Sequence, residues 1–148
     1  MSTFPSQLHD EKTFYDAFVC DLSNCKTEVI IESPFITSSR MKVFRLVFKK
    51  MLEKGVKIYV FTRDPSEHDY EMAYQAEIEI QNFEKVGVQT LICTGSHHRK
   101  LAILDRSILW EGSLNILSQN HSREIMRRID SKEMAEELFD FLEFRKFI

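Results

Sequence analysis

The sequence predicts an α/β domain with a mixed, largely parallel central sheet flanked by helices. Short apolar runs alternate with longer segments whose apolar residues recur at three- and four-residue spacing, which is the pattern of strands alternating with helices. Two of the helical segments are followed by glycines, Gly55 and Gly87, at positions where helices commonly end. Repeated strand, helix and strand units of this kind place consecutive strands parallel in one sheet.

The individual elements follow from these patterns in chain order. Apolar residues within each helical segment can share one stripe, and the strand segments are short apolar or β-rich runs. The predicted helices are Ser6 to Leu22, Ser38 or Ser39 to about Lys54, about Tyr70 to Lys85, and Ser131 to about Arg145. The predicted strands are Glu28 to Glu32, Val56 to Phe61, Val88 to Cys93, Leu101 to Leu104, Ile108 to Trp110, and Arg123 to Ile129. The residues Asp105-Arg106-Ser107 predict a tight hairpin.

Length and composition indicate a single domain comprising residues 1–148. With 148 residues, of which 43% are hydrophobic and 29% charged, the chain can bury a core large enough to fold alone. No apolar run approaches the roughly 18 to 20 residues of a membrane span, and the first ten residues have neither a basic start nor an apolar run. A soluble, cytoplasmic protein without a membrane partner is therefore expected.

The formal net charge of -3 argues against a protein that coats nucleic acid or anionic membrane through bulk charge. A polyanionic substrate must instead meet a local basic patch. Two clusters are candidates for such a patch, and ordinary solvated faces are the alternative interpretation of both. The first cluster comprises Arg40, Lys42, Arg45, Lys49, Lys50 and Lys54. The second comprises Arg99, Lys100, Arg123, Arg127 and Arg128.

The strongest candidate chemistry begins at His98. On a strand, His98 and Lys100 would share one face, while His97 and Arg99 would share the other. An imidazole beside an ammonium group contributes little to an apolar core. It suits attack on a phosphodiester, because the neutral imidazole supplies a nucleophilic nitrogen and the lysine supplies positive charge where the transition state accumulates negative charge.

Further polar residues follow at fixed spacing. Ser113 and Asn115 could bind phosphate oxygens, and Gly112 would let the backbone approach a ligand closely. The complete ordered series is His98-x-Lys100-x4-Asp105-x6-Gly112-Ser113-x-Asn115. This series resembles the HKD motif of the phospholipase D superfamily, and every signature position is filled. The resemblance implies a phospholipase D-like fold.

The resemblance also implies a role for each matching residue of the motif. His98 would be the nucleophile that forms a covalent phosphohistidine. Lys100, Ser113 and Asn115 would hold the phosphate. Asp105 would be a supporting member of the catalytic motif, placed away from the phosphate, with a structural role rather than one in proton transfer.

Residues outside the motif also resemble parts of the family's site. Glu124 matches a later acidic position, where a carboxylate would keep a catalytic histidine oriented, although an exposed strand residue is the alternative interpretation. The segment Glu32-Ser33-Pro34-Phe35 resembles the one that follows the first strand and lines the site. Arg99 and Arg123 are expected to contact the substrate backbone without reading its sequence.

The family reaction uses two histidines, one that attacks and one that protonates the leaving oxygen and later activates water. This chain contains one HKD motif, so the resemblance implies a homodimer whose two copies share one active site across a two-fold axis. No HxxxH, HExxH or CxxC pattern is present, so neither a metal nor a cofactor is expected. The positive charge would come from Lys100 and its copy in the partner chain.

A short chain with a single motif is most similar to the nuclease branch of the superfamily. The leading hypothesis is therefore a metal-independent phosphodiesterase that cleaves DNA or RNA. One alternative is a phospholipid phosphodiesterase or transphosphatidylase. Another is a non-catalytic module for nucleic-acid binding or dimerisation, because residues 109–128 resemble nuclease-like domains at the ends of bacterial helicases and of restriction or repair proteins.

Overall fold

The computed structural model describes residues 5–119 and 121–148, which contain four α-helices and one seven-stranded sheet. The helices are α1 (Phe14–Asn24), α2 (Ser38–Glu53), α3 (Tyr70–Val86) and α4 (Lys132–Phe141). The strands are β1 (Ser6–Asp10), β2 (Glu28–Glu32), β3 (Lys57–Arg63), β4 (Gln89–Cys93), β5 (Leu101–Leu104), β6 (Ile108–Gly112) and β7 (Ile125–Asp130). No helix in these two ranges is long and apolar enough to cross a membrane.

The sheet is mixed, as predicted, but it is not largely parallel. Its strand order is β1-β7-β6-β5-β2-β3-β4, and only the β2–β3 and β3–β4 pairs are parallel. The other four pairs are antiparallel. The prediction extended the strand-helix-strand units of residues 28–93 to the whole chain. Between β4 and β7 the described residues, 94–119 and 121–124, contain no helix, and the β5–β6 hairpin and β7 pair antiparallel.

The first predicted helix, Ser6 to Leu22, is wrong in its first half. Residues 6–10 form the edge strand β1, which pairs antiparallel with β7. The helical stripe begins only at Phe14, which is fully buried together with Phe18 and Leu22, whereas Leu8 is 58% exposed. A turn at Asp10 separates the two elements, because its carboxylate accepts hydrogen bonds from the backbone N–H groups of residues 12 and 13.

The other predicted elements are present, β2 and β5 with the predicted bounds and the rest with shifted ends. Gly55 and Gly87 follow α2 and α3, and both adopt the positive φ that favours glycine at a helix end. β7 begins at Ile125 rather than at Arg123. The last helix ends at Phe141 rather than near Arg145, because Glu143 takes a positive φ and starts a separate 3-10 turn at Phe144–Lys146.

Helices cover both faces of the sheet and divide the core in two. Side chains of α1, α2 and α3 pack on one face around Trp110. Those of α4 and the following 3-10 turn pack on the other face around Phe139. Because side chains alternate along a strand, the five inner strands β2, β3, β5, β6 and β7 each supply residues to both cores. In β5, Ala102 belongs to the first core and Ile103 to the second.

The central strands β2 and β5 are buried along their full lengths, and Asp105 fixes their pairing at one end. Its carboxylate accepts hydrogen bonds from the backbone N–H groups of Lys26, Thr27 and Glu28 at 2.9, 2.7 and 3.1 Å. Burial raises the pKa of Asp105, but these three bonds outweigh it, so the pKa is lowered from the ordinary 3.8. Asp105 thus joins the β5–β6 hairpin to the start of β2.

Substituting Asp105 tests this structural role. Asp105→Ala should lower the free energy of unfolding by about 2 to 4 kcal/mol, because it leaves three backbone donors without their charged acceptor. Because folding lowers the pKa of Asp105, its carboxylate stabilises the fold at pH values above the unfolded-state pKa of 3.8. This stabilisation is lost as the pH falls through the folded-state pKa. Urea unfolding at neutral pH and at pH values below 3.8 should therefore show the difference from wild type shrinking in acid.

Asp140→Ala is the matched control, because it removes a carboxylate that is 66% exposed and 3.5 Å from Arg145. It should change the free energy of unfolding by no more than about 0.5 kcal/mol. An equal effect of the two substitutions would show that Asp105 contributes nothing beyond an ordinary surface charge.

Candidate active site

His98 and Lys100 lie in an extended segment just before β5, not on the strand itself as the sequence predicted. The predicted alternation of side chains nevertheless holds, because His97 and Arg99 both contact Glu32. Lys100 extends the β5 alternation of Ala102, so it faces the side of the sheet that α1 and α2 cover. His98 is exposed, and the Lys100 ammonium donates a hydrogen bond to the His98 carbonyl oxygen at 2.9 Å.

Glu32, the last residue of β2, anchors this segment. Its side chain is fully buried and accepts two hydrogen bonds from the Arg99 guanidinium, at 2.8 and 2.7 Å. A bidentate pair of this kind fixes the direction of the arginine as well as its distance. Because Arg99 lies between His98 and Lys100 in the chain, the pair holds both neighbours toward the opposite side of the segment.

His97 packs against the same carboxylate, with Nε2 3.7 Å from Glu32 Oε1. Burial lowers the pKa of His97, and the nearby charge of Glu32 opposes that effect. The net lowering favours the neutral imidazole at neutral pH. His97 therefore serves to fill the space beside Glu32 while its neighbour His98 remains exposed.

Gly112 ends β6 next to Lys100, since the register pairs Leu101 with Glu111 and Gly112 with Met126. A Cβ atom at Gly112 would lie 2.8 Å from Met126 Sδ and would overlap the carbonyl oxygen of Ile125. The close approach of β7 therefore requires glycine here. The sequence pattern had instead predicted that Gly112 lets the backbone approach a ligand closely.

Ser113 is tied to the backbone of β7. Its hydroxyl accepts a hydrogen bond from the Ile125 N–H at 3.0 Å, and its own N–H donates to the Ile125 carbonyl oxygen at 2.9 Å. The Ser113 side chain is exposed. A contact from this hydroxyl to a phosphate would have to share or replace the bond to the Ile125 backbone.

Asn115 carries a buried side-chain oxygen. Its Oδ1 is buried and accepts no hydrogen bond from the described part of the chain. Its backbone carbonyl accepts one from the Tyr15 hydroxyl at 3.4 Å. A buried amide oxygen without a partner is uncommon in folded proteins, so this amide is a candidate ligand-binding group.

Glu124 lies between Lys100 and Tyr15. Burial lowers the pKa of Lys100, and the charge of Glu124 partly offsets that effect. Burial raises the pKa of Tyr15 to about 12, and the negative charge of Glu124 adds to this increase. The phenol therefore stays protonated at neutral pH. The N–H of Glu124 donates to a Glu11 carboxylate oxygen at 2.9 Å. Over the described ranges, no hydrogen bond joins Glu124 to His98 within one chain.

The segment after β2 is bonded to the segment that follows Asn115. The Ser33 hydroxyl accepts a hydrogen bond from the Leu117 N–H at 3.0 Å, and the Thr37 N–H donates to the Leu117 carbonyl oxygen at 3.0 Å. Ser33 is fully buried. These bonds bring residues 33–37 beside the motif, and this segment overlaps Glu32–Phe35, which the family resemblance expected to line the site.

The three remaining predicted site residues have different surroundings. Arg99 binds Glu32 through two guanidinium nitrogens and is 48% exposed, so its contact with a substrate stays a prediction. Asp105 lies at the opposite end of β5 from Lys100, and within the described chain its carboxylate bonds only to residues 25–28, in keeping with the predicted structural role. Arg123 is exposed beside Glu124 and remains a candidate for contact with a substrate.

The sequence did not identify Tyr15 and Arg40 as members of the site. The Arg40 guanidinium carbon lies 3.4 Å from the centre of the Tyr15 ring. Arg40 stood out only as one member of a basic cluster, and Tyr15 carried no signal beyond its place in a predicted helix. Both come from chain segments far from the motif, and only the fold brings them together.

A family model described as "Cardiolipin synthase, PLD-like domain" matches residues 18–144, which include the whole motif and Glu124. The chain belongs to the phospholipase D superfamily. This match confirms the family resemblance read from His98 to Asn115. No match was found among curated protein sequences.

Solved structures show the same fold. NucT from Helicobacter pylori has a TM-score of 0.74 at 16% identity, covering 95% of this chain and 94% of NucT. The phospholipase D family member Nuc from Salmonella typhimurium has a TM-score of 0.73 at 17% identity, covering 97% and 94%. TrmBL2, an archaeal chromatin protein, has a TM-score of 0.65 at 12% identity, covering 95% and 52%. These similarities confirm the predicted phospholipase D-like fold.

The Arg99–Glu32 pair should show an asymmetric response to substitution. Arg99→Ala leaves a fully buried carboxylate without its partner and should lower the free energy of unfolding by about 3 to 5 kcal/mol. Glu32→Gln leaves an arginine that is 48% exposed and can reach water, and should cost about 1 to 3 kcal/mol. Urea unfolding of both variants measures the difference.

The double variant Arg99→Ala/Glu32→Gln completes the comparison. It should be more stable than Arg99→Ala alone, because it no longer buries an unpaired charge. Equal costs for the two single variants, with additive costs in the double, would contradict the anchoring role assigned to this pair.

Proposed function

We propose that this protein is a metal-independent phosphodiesterase that cleaves DNA or RNA through a covalent phosphohistidine. The observation that carries the proposal is the exposed His98 next to Lys100, in a segment whose intervening residue, Arg99, is anchored to buried Glu32. Family membership supports the same chemistry. The exposed His98 imidazole lies beside the Lys100 ammonium, is accessible to a phosphodiester and does not belong to the packed core.

The proposed reaction has two steps. An imidazole nitrogen of His98 attacks the phosphorus, the bond to the leaving oxygen breaks, and that oxygen takes a proton from a second histidine. Water then attacks the phosphohistidine and gives its proton to the second histidine, and the phosphorus–nitrogen bond breaks. The product phosphate leaves, and both histidines return to their starting protonation states.

Lys100 and Asn115 would hold the non-bridging phosphate oxygens. Negative charge accumulates on these oxygens as the nitrogen–phosphorus bond forms, and a preorganised cation stabilises it. Lys100 suits this role because it is partly buried beside Glu124, whose charge helps to keep it protonated. Asn115 would contribute the N–H donors of its side-chain amide, because a phosphate oxygen can only accept hydrogen bonds.

Nucleic acid is the favoured substrate because the candidate nucleophile sits on an exposed segment, where a long polymer can reach it. Arg123 is exposed in the segment that leads to Glu124 and can contact phosphates without reading bases. The fold matches Nuc and NucT along nearly the full length of all three chains, as expected if this chain belongs to the short, single-motif branch.

A cleavage assay in excess EDTA tests the chemistry. The wild-type protein should cut a labelled oligonucleotide, and acid-labile label should be trapped on it during turnover. His98→Ala should lose activity by a factor on the order of 10⁴ and should trap nothing, because the nucleophile is gone. Lys100→Met should lose about 10² to 10³-fold, because charge stabilisation is lost while the nucleophile stays.

His121→Ala is the control for this assay, because it removes an exposed histidine outside the motif. It should retain wild-type activity within about twofold. If His98→Ala cuts as fast as wild type, the proposed nucleophile is wrong. If His98→Ala still binds nucleic acid and neither protein cuts, the domain is a non-catalytic binding module.

A lipid phosphodiesterase is the second candidate, because the matching family model is described as a cardiolipin synthase domain. Turnover of phosphatidylglycerol vesicles without cleavage of any oligonucleotide would favour this candidate.

We further propose that the site is completed by a second copy of this chain, because the reaction requires two histidines and the sequence has a single HKD motif. A groove of about 540 Å³ lies at the end of the sheet that carries Lys100, and Leu8 and Ile125 line it on the face of the sheet opposite to the Lys100 side chain. These two side chains are 58% and 54% exposed. A second copy that covered this apolar surface would also bring its own histidine to this end of the sheet.

Mixing the wild-type protein with His98→Ala after subunit exchange tests the shared site. A hybrid dimer has one His98 and should be inactive, so activity should fall with the square of the wild-type fraction, to about one quarter at equal amounts. A linear decline to about one half would show that each chain works independently.

A further inference from the structure

Arg40 stands apart from the other half-buried arginines. Arg63, Arg106 and Arg128 each pair with a carboxylate, at distances between 2.8 and 3.1 Å. Arg40 forms no ion pair within residues 5–119 and 121–148, and its Nε is buried without a hydrogen-bond partner there. A half-buried cation without a counter-charge is costly, so it needs another explanation.

The position of the Arg40 guanidinium is nevertheless well defined. It lies on the face of the Tyr15 ring, with Cζ 3.4 Å from the ring centre, which is a stacking contact that stabilises a cation. Burial lowers the pKa of Arg40, and Tyr15 partly offsets this. The pair therefore holds a partly desolvated positive charge in place without neutralising it.

Tyr15 links this cation to the candidate active site. Its hydroxyl donates to the backbone carbonyl oxygens of Asn115 and Ser118, at 3.4 and 3.2 Å. Glu124 acts electrostatically on both Tyr15 and Lys100. Arg40 thus borders the site, with the Tyr15 ring between it and the backbone of Asn115.

We propose that Arg40 binds a backbone phosphate of the nucleic acid next to the one that is cleaved. This inference rests on the proposed function, in which Lys100 and Asn115 hold the scissile phosphate. An uncompensated guanidinium at the border of that site fits the next anion along a polymer that carries one at every nucleotide. Arg40 would therefore select for polynucleotides over isolated diesters.

Binding measurements test the subsite separately from catalysis. Fluorescence anisotropy of a labelled single-stranded oligonucleotide would compare His98→Ala with His98→Ala/Arg40→Gln over a range of salt concentrations. The added substitution should weaken binding about 5- to 20-fold and reduce the slope of log affinity against log salt by about 0.7, the value for one phosphate contact on a single strand.

Cleavage measurements test whether the subsite is distinct from the scissile position. With an intact His98, Arg40→Gln should lower kcat/KM for the oligonucleotide by about 5- to 20-fold. It should leave hydrolysis of bis(4-nitrophenyl) phosphate, which has a single phosphate, within about twofold of wild type. Equal losses on both substrates would overturn the proposal, because Arg40 would then act at the scissile phosphate or on the fold.

Two further variants control for charge and folding. Arg40→Lys keeps the charge and should retain most of the salt slope, even if loss of the stacked plane weakens binding. Arg145→Gln removes a guanidinium that is 72% exposed on the chain segment after α4, and should leave binding unchanged. Thermal melting of each variant checks folding. If Arg40→Gln is unfolded, Arg40→Lys decides the result: weaker oligonucleotide binding with unchanged hydrolysis of bis(4-nitrophenyl) phosphate supports the subsite, and unchanged binding overturns it.

The outcomes separate this proposal from the proposed function. If the wild-type protein cleaves nothing but Arg40→Gln still weakens oligonucleotide binding and lowers the salt slope, the phosphate subsite stands and the catalytic proposal fails. If cleavage depends on His98 but Arg40→Gln changes neither binding nor the salt slope, the subsite is wrong. Failure of the wild-type protein to bind the oligonucleotide also overturns it.

Discussion

The attachment of β5 to β2 is the constraint on which the candidate active site depends. At one end of this pair, Asp105 binds the backbone N–H groups at the start of β2, and at the other end Arg99 binds the buried carboxylate of Glu32. Between these attachments both strands are fully buried. Because β5 is held at both ends, the residues just before it are positioned although they belong to no strand, and His98 can be both exposed and oriented.

The distribution of charge follows from the same arrangement. The buried carboxylates of Asp21, Glu28 and Glu32 each bind one arginine, so their charges are satisfied within the fold. The half-buried cations near the motif, Lys100 and Arg40, have no such partner at salt-bridge distance in the described ranges. A fold that neutralises its buried acids but leaves cations around one opening creates a local positive potential there, although the net charge of the whole chain is -3.

The motif was predictable from sequence because its members lie within 18 residues and their chemistry is unusual for a core. The sheet was harder to predict. Alternating elements fixed the β2–α2–β3–α3–β4 region, but local pattern could not show that later strands would pair antiparallel, or that residues 6–10 would form an edge strand. The ion pair of Arg99 could not be predicted from sequence, because its partner Glu32 is 67 residues away. Tyr15 and Arg40 were missed for the same reason, since the contacts that place them at the site are not local in sequence.

The location of the motif also explains why a single chain can be stable and still provide only half of the proposed site. Each residue that fixes the fold, such as Asp105, Glu32 or Gly112, is satisfied by contacts within the chain. His98, the proposed nucleophile, is exposed instead, and Asn115 Oδ1 has no partner in the described residues. None of the contacts that fix the fold uses a second histidine. Under the proposed dimer, the free-energy cost of completing the site would therefore fall on association of the two copies.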